Sequence, residues 1–236
     1  MNLNQYFKHL TIIDQQVDLK DQLITDQELA HNLKADTLLI RFWTTEGIIF
    51  GKIDTLLPGY QEAINKIELP EDKILVRKSG GLAVVCDSGI LNLSILFSKE
   101  TQDISDLNET YTFGVELIRY LLKDLNLDID EGEISNSYCP GKYDLSVKGK
   151  KFSGMAQYRT KNTIMLMVTL CINGDQQKRC RIIKDFYDIS NTNKDTKYPQ
   201  IMINSMETLS TLSSKSLTVE SIKDNMIKIL NQFYSF

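Results

Sequence analysis

Short apolar runs recur through the middle of the chain, and each is bounded by glycine, proline or polar turn residues. Runs of this length are typical of buried strands. The clearest are residues 38–43 and 164–172, and the second is too short to cross a membrane. Further strands are predicted at 48–50, 74–77, 83–86, 91–97, 144–147 and 151–158.

Helical spacing of apolar residues appears between and after these strands. It is clearest over residues 112–125, and a shorter helix is predicted at 59–67. The last helix follows Thr218, a candidate N-cap, and carries an apolar stripe on one face. The stripe consists of Ile222, Met226, Ile229, Leu230 and Phe233.

Several strands in succession, with helices between and after them, favour an α+β fold over a repeating βαβ fold. We therefore expect a mixed β-sheet flanked by helices. The pattern divides the chain into three parts: an N-terminal helical segment at 1–36 packed on the core, the core itself at 37–189, and a small C-terminal helical segment at 190–236.

The composition excludes several classes of protein. The chain has 236 residues, 42% apolar and 25% charged, which is typical of a globular protein. Its formal net charge of −4 argues against a nucleic-acid partner. No run approaches the roughly 18 apolar residues of a membrane span. Residues 1–14 are polar and lack a signal-peptide core, so we expect a cytoplasmic protein with no membrane partner.

The four cysteines include no C-x-x-C pair, so the sequence has no structural zinc signature and we expect no metal. Sparse cysteine in a chain of this length indicates a reducing compartment. The basic residues between 178 and 184 form either a solvated face or a docking surface for an acidic partner. The glycines at 80 and 81 follow a predicted strand without a Walker A or G-x-G-x-x-G pattern. Taken alone, they indicate either a tight turn or a close approach of the backbone to a ligand.

Cys139 and Lys151 are the candidates for chemistry. Cys139 precedes Pro140 and Gly141, which places it on a loop. A thiol reacts as its thiolate, and a nearby cation such as Lys151 favours that form. Taken alone, a free cysteine is more often structural and a lysine is more often a surface residue.

The motifs around both residues resemble those of the lipoate/octanoate protein ligase and transferase family. The resemblance rests on residues 77–87 (RKSGGLAVVCD), on 89–94 (GILNLS), on 137–146 (SYCPGKYDLS) and on 149–157 (GKKFSGMAQ). It covers most of residues 38–236. The loop around Cys139 is its most specific part.

The resemblance implies a fold and a set of roles. The fold would be the catalytic domain shared by biotin and lipoate protein ligases. Cys139 would be the nucleophile that forms an acyl thioester, and Lys151 would favour its thiolate and orient the acyl carbonyl. The glycine-rich segment would line a tunnel for an eight-carbon chain. The substrate-binding residues would be Arg77, Ser79, Gly80, Gly81, Asp87, Asn92, Asp144, Gly154 and Gln157.

The chain departs from the family pattern at two positions. Many members have a third glycine where this chain has Leu82, which we expect to narrow or reshape the tunnel floor. Many have a histidine where this chain has Cys86, so Lys151 would remain as the motif residue that tunes Cys139.

Within the family the pattern is most similar to amidotransferases. These would move an octanoyl or lipoyl group from a lysine of glycine cleavage H protein to lipoyl domains of 2-oxoacid dehydrogenase acyltransferase subunits, with the acyl group as covalent cargo and without ATP or metal. Three alternatives stay open at this point: a transferase that uses octanoyl-acyl carrier protein, an ATP-dependent lipoate ligase, and a non-catalytic module that binds acyl carriers.

Overall fold

A computed structural model describes residues 1–67, 70–101 and 103–233. Over these ranges the chain forms ten strands and six α-helices. The strands are β1 (His9–Asp14), β2 (Thr37–Trp43), β3 (Gly47–Gly51), β4 (Ile74–Arg77), β5 (Val84–Cys86), β6 (Ile90–Ser98), β7 (Asp130–Glu131), β8 (Leu145–Val147), β9 (Lys150–Arg159) and β10 (Thr163–Cys171). The helices are α1 (Gln22–His31), α2 (Tyr60–Lys66), α3 (Leu107–Leu121), α4 (Gln176–Ser190), α5 (Leu209–Ser213) and α6 (Val219–Asn231).

The strands form two sheets. The larger has the order β1-β2-β6-β10-β9-β8-β7, and the smaller has the order β4-β3-β5. Both mix parallel and antiparallel pairs, since β1 runs parallel to β2 and β3 runs parallel to β4. The predicted α+β class, with mixed sheets flanked by helices, is confirmed.

One face of the large sheet carries the main core. Successive side chains on a strand point to opposite faces, so alternate positions of β2, β6 and β10 form one apolar surface. That surface packs with the buried sides of α3 and α6. Its members include Leu38, Ile40, Leu93, Ile95, Leu166 and Val168.

The opposite face of the same strands carries polar side chains. Arg41 lies beside Ser94 in the register, and Asn92 lies beside Thr169. All but Thr169 are buried, because α1 and the segment that follows β4 cover this face. The polar face forms the floor of the cavity described below.

The N-terminal segment differs from its prediction. Residues 1–36 were expected to be helical, but His9–Asp14 is strand β1, paired in parallel with β2, and only Gln22–His31 is α-helix. The apolar residues of β1 alternate imperfectly along the segment. The strand is stabilised by hydrogen bonds to β2, which a local pattern does not reveal.

Helix α3 starts earlier than the apolar pattern indicates. Helix α3 begins at Leu107 because Asp106 and Glu109 form a capping box there. The basic cluster at 178–184 lies on α4, where Arg179 is buried and not solvated. Helix α6 begins directly after Thr218, as predicted.

Candidate active site

The loop that carries Cys139 is held by one buried lysine. Lys151, near the start of β9, directs its Nζ to the carbonyl oxygens of Tyr138 (3.1 Å) and Cys139 (2.7 Å). The same Nζ lies 2.9 Å from an oxygen of Asp144, which also accepts from the N–H of Gly141 at 2.9 Å. The two ends of the loop are thus tied to one ion pair.

These contacts account for all three N–H donors of the Lys151 ammonium. Both Lys151 and Asp144 are about 2% exposed, so the pair is fully desolvated. Burial raises the pKa of the Asp144 carboxyl, and the Lys151 charge opposes that rise. Lys151 therefore binds main-chain oxygens beside the thiol, whereas the sequence led us to expect a cation that tunes the sulfur itself.

The sulfur of Cys139 is contacted from the opposite side by the segment after β4. The N–H of Leu82 donates to Sγ at 3.1 Å, and Nη2 of Arg77 lies 3.8 Å from it. The guanidinium of Arg77 is itself fixed by the carbonyls of Ile49, Gly80 and Leu82. A half-buried thiol thus faces one amide donor and one buried cation.

Gly81 permits this close approach. Its φ of +93° lies in the left-handed region. A Cβ at this position would lie 2.6 Å from Nη2 of Arg77 and 3.1 Å from Sγ of Cys139. A side chain here would separate the guanidinium from the sulfur.

Cys139 opens into a cavity of about 280 Å³. Apolar side chains from both sheets line most of it. They include Trp43, Ile49, Leu75, Val84, Met155 and Met167. Such a lining suits an alkyl chain, because apolar surface removed from water stabilises by roughly 0.8 kcal/mol per buried methylene.

Most of the residues predicted for the site meet in this cavity. Besides Cys139 and Lys151, its lining contains Arg77, Ser79, Gly80, Gly81, Asn92, Gly154 and Gln157. Asp144 is not part of the lining and acts from behind Lys151. Asp87 is also outside it.

Asp87 forms an ion pair with Arg179 of α4. The carboxylate accepts from Nε of Arg179 at 2.8 Å and from a second guanidinium nitrogen. Burial disfavours the charged carboxylate, but the bonds from Arg179 and from the N–H of Gly89 outweigh it and lower the pKa of Asp87. Asp87 thus joins the β5–β6 turn to α4. It is not among the residues that line the cavity, so the structure does not support its predicted contact with substrate.

The side chains at the two departures from the family pattern are not among the lining residues of the cavity. Leu82 contributes its backbone to the sulfur, but its side chain packs in the core beneath the small sheet and is not among the lining residues of the described ranges. Cys86 is buried, which raises the pKa of its thiol to about 12. The expectation that Leu82 narrows or reshapes the tunnel floor stays a prediction.

Sequence reasoning missed several lining residues on other elements. Tyr111 of α3 lies in the wall and stacks on Tyr143 with ring centroids 4.5 Å apart. Gln22 and Asp26 line the cavity from α1, and Trp43 does so from β2. The sequence offered one weak signal for these residues: Gln22 and Asp26 are polar residues in a short helix.

A buried polar network fixes α1 over the cavity floor. Arg41 donates to Asp26 at 2.9 Å and to Gln22 at 2.6 Å. Asp26 also accepts from Ser94, which in turn accepts from the indole N–H of Trp43 at 3.0 Å. Burial raises the pKa of the Asp26 carboxyl, although Arg41 and Ser94 oppose the rise.

Two buried hydroxyls in the lining lack a hydrogen-bond partner. Ser79 Oγ and Ser153 Oγ are each without one among the described residues. Buried polar groups are rarely left unpaired, and the exceptions call for an explanation. Both hydroxyls are suited to bind a carbonyl or an amide.

No group of three or more histidine, cysteine or acidic residues able to hold a metal ion occurs within the described ranges. In the same ranges, no helix is long and apolar enough to cross a membrane.

Comparison with known proteins agrees with the family that the motifs indicate. Residues 18–231 match the lipoyl protein ligase A/B catalytic domain family. The chain is 39% identical over 196 residues to the Octanoyl-[GcvH]:protein N-octanoyltransferase of Lysinibacillus sphaericus, an alignment covering 82% of this chain and 70% of that protein. It is 35% identical over 226 residues to the Lipoyl-[GcvH]:protein N-lipoyltransferase of Listeria monocytogenes, covering 94% and 80%.

Solved structures show the same fold. A structure of lipoate-protein ligase A bound with ATP superposes with a TM-score of 0.68 at 16% identity, covering 97% of this chain and 85% of that one. The bipartite lipoate protein ligase of Thermoplasma acidophilum gives 0.67 at 16% identity, covering 96% and 84%. At this identity the likeness concerns the fold, and it confirms the predicted ligase-like catalytic fold.

Proposed function

We propose a specific activity for this chain, which belongs to the lipoyl protein ligase A/B catalytic domain family. It is an amidotransferase that moves an octanoyl or lipoyl group between protein lysines through a thioester on Cys139. The donor is the lysine of glycine cleavage H protein. The acceptors are lysines in the lipoyl domains of 2-oxoacid dehydrogenases.

One observation carries the proposal above the others. Cys139 is the half-buried cysteine of the chain, and its sulfur faces an amide donor, a guanidinium and an apolar cavity together. The names of the relatives from Lysinibacillus sphaericus and Listeria monocytogenes support the same reaction class and the same donor.

The first half of the reaction replaces an amide with a thioester. The thiolate of Cys139 attacks the acyl carbonyl, a carbon–sulfur bond forms, and the carbon–nitrogen bond to the donor lysine breaks. The leaving amine must gain a proton as it departs. The thiol proton of Cys139 balances this step, since it ends on the amine.

The second half reverses these events with a different lysine. The acceptor amine attacks the thioester carbonyl, the sulfur leaves, and the amine returns a proton to it. Dividing acyl transfer in this way is the general logic of covalent catalysis. An amide is exchanged for an amide of nearly equal free energy, so the proposal includes neither ATP nor metal. The predicted cytoplasmic location is part of the same proposal.

Arg77 and Leu82 stabilise the attacking group in this scheme. A backbone N–H and a cation directed at the sulfur are positioned to stabilise negative charge on it during attack and departure. Lys151 keeps Cys139 in position and exchanges protons with the amine when one of its bonds to the loop carbonyls opens. The unpaired hydroxyl of Ser153 is available to bind the acyl carbonyl or the amide nitrogen in this scheme.

A transfer assay tests the proposal. Octanoylated H protein and an apo lipoyl domain are mixed with the enzyme in the absence of ATP, and the acceptor mass is followed. We expect the acceptor to gain one octanoyl group with the parent enzyme and none with Cys139→Ala. Acceptor acylation that occurs only with free octanoate and ATP would mean a ligase, and acylation only from octanoyl-acyl carrier protein would replace the donor.

A further inference from the structure

We propose that a narrow apolar throat at the far end of the acyl cavity sets the length of the acyl chain that this enzyme accepts. The throat is formed by Leu23, Tyr158, Met165 and Met167. This inference rests on the proposed function, because it assigns residues that select the cargo of that reaction.

Three neighbouring cavities define the throat. The acyl cavity shares Leu23, Asp26, Ser79 and Met167 with a space of only about 20 Å³. That small space shares Gln27, Lys78 and Tyr158 with a third cavity of about 520 Å³. A volume of 20 Å³ has room for about one water molecule, so the acyl cavity ends in a constriction and not in an open channel.

The walls of the throat come from strands β9 and β10 and from helix α1. Met165 and Tyr158 are direct cross-strand partners on β10 and β9, and Met167 lies two residues beyond Met165 on the same face. Leu23 closes the opposite side from α1. Methionine is a flexible side chain that fills irregular space, so the width of the throat depends on how firmly α1 is held.

A buried ion pair holds α1 against the sheet at this point. Asp26 lies three residues after Leu23, so both lie on the same side of the helix. Asp26 is paired with the fully buried Arg41 of β2 and accepts from Ser94 of β6. Leu23 is thereby fixed one helical turn from an anchored residue.

The segment after β4 gives a scale for the distance from the thiol to the throat. Leu82 contacts the sulfur of Cys139, while Ser79 lines both the acyl cavity and the throat space. Three residues span at most about 11 Å, and the bends at 78–81 make the real span shorter. The seven carbon–carbon bonds of an extended octanoyl chain cover about 9 Å. An octanoyl group on Cys139 is therefore comparable in length to this span, and we infer that a longer chain extends into the throat.

The cavity beyond the throat does not suit an alkyl tail. Its lining is mixed: beside apolar residues such as Leu33 it includes the charged or polar side chains of His31, Lys34, Lys78 and Lys161. A methyl group pushed through the throat would meet these groups and not a continuous apolar surface. The constriction and the mixed lining of the cavity behind it both oppose longer chains.

Competition between activated esters tests the throat without any carrier protein. The enzyme is mixed with equal amounts of p-nitrophenyl octanoate and p-nitrophenyl dodecanoate, and the adducts on Cys139 are compared by intact mass. In this step the thiolate attacks the ester carbonyl and p-nitrophenolate leaves. We expect the parent to take octanoyl, and Met167→Ala or Leu23→Ala to raise the dodecanoyl share by roughly tenfold or more.

Met226→Ala is the matched control. Met226 is a fully buried residue of α6 in the main core and is not among the lining residues of the three cavities. Because it is fully buried, its truncation loosens the fold without altering the throat, so the dodecanoyl share should stay at the parent value. An octanoyl adduct on the parent with an unchanged ratio in both throat variants would overturn the throat alone. Absence of any adduct on the parent would overturn the thioester reaction and the throat with it.

Discussion

Cys139 adopts a backbone conformation that few residues other than glycine adopt. Its φ of +47° lies in the left-handed region, which costs an L-residue roughly 1–2 kcal/mol. The bonds from Lys151 to the carbonyls of Tyr138 and Cys139 offset that cost. Strain that is held in place by buried contacts commonly occurs at functional sites.

The four cysteines should differ sharply in reactivity. Burial raises the pKa of Cys86 and Cys180 to about 12 and that of Cys171 to about 11, so at pH 8 roughly one part in a thousand or less of each is thiolate. Only Cys139 is partly accessible. Peptide mapping after iodoacetamide treatment of the folded protein at pH 8 should find alkylation at Cys139 alone. Equal labelling of Cys171 would contradict this description of the cavity.

The guanidinium of Arg77 should speed the reactions of Cys139. Arg77→Met removes the cation beside the sulfur, and we expect Cys139 acylation by an octanoyl ester to slow by roughly 10²-fold. The rate of iodoacetamide labelling at pH 7 should fall as well, which a purely structural role would not require. Arg181→Met, a half-exposed arginine on α4, is the control and should react like the parent. An unchanged labelling rate in Arg77→Met would remove Arg77 from the chemistry.

At the scale of elements, local patterns predicted most strands but not their partners. Strands β2, β6 and β10 were found because continuous apolar runs identify strands buried on both faces. Strand β1 was missed because its partner supplies its hydrogen bonds from a distant part of the sequence. The basic stretch of α4 was expected to be solvated because no local signal reveals that Arg179 is paired with Asp87.

The ion pair between Lys151 and Asp144, here called the clamp, joins β9 to the loop before β8. Lys151→Met should lower the free energy of unfolding by about 3–5 kcal/mol, since a buried carboxylate loses its partner. The double variant Lys151→Met/Asp144→Asn should recover most of that loss in urea unfolding. It should nevertheless stay inactive in octanoyl transfer, because the carbonyls of Tyr138 and Cys139 remain without a donor. An active double variant would show that the clamp is not needed for chemistry.

The pair between Asp87 and Arg179 predicts a pH dependence of stability. The native pKa of Asp87 lies below the unfolded value of about 3.9, so its contribution is present above pH 4 and is lost as pH falls through the native pKa. At pH 7, Asp87→Asn should reduce the free energy of unfolding by roughly 1–2 kcal/mol, a modest figure because the carboxylate is partly exposed. The difference between variant and parent should shrink below about pH 4 in urea titrations. A difference that stays constant down to pH 3 would contradict the assignment.

At the scale of the whole molecule, the site combines residues from a few short sequence motifs with single residues from other helices and strands. The motif residues could be predicted from the sequence because they lie in short segments that a family resemblance identifies. The contributions of Asp26, Tyr111 and Trp43 could not, because they depend on how α1, α3 and β2 pack around the cavity. Arg77 was predicted as a binding residue, but its closeness to the sulfur was not predicted. That closeness depends on Gly81, which has no side chain to separate the guanidinium from the sulfur.

The central claim is that the acyl group passes through a thioester on Cys139, and the mass of the intact enzyme tests it most directly. The parent and Cys139→Ala are each mixed with octanoylated H protein without ATP and without an acceptor. We predict one octanoyl adduct on the parent, its removal by neutral hydroxylamine, and no adduct on Cys139→Ala. An adduct that resists hydroxylamine, or one that also forms on Cys139→Ala, would contradict the account.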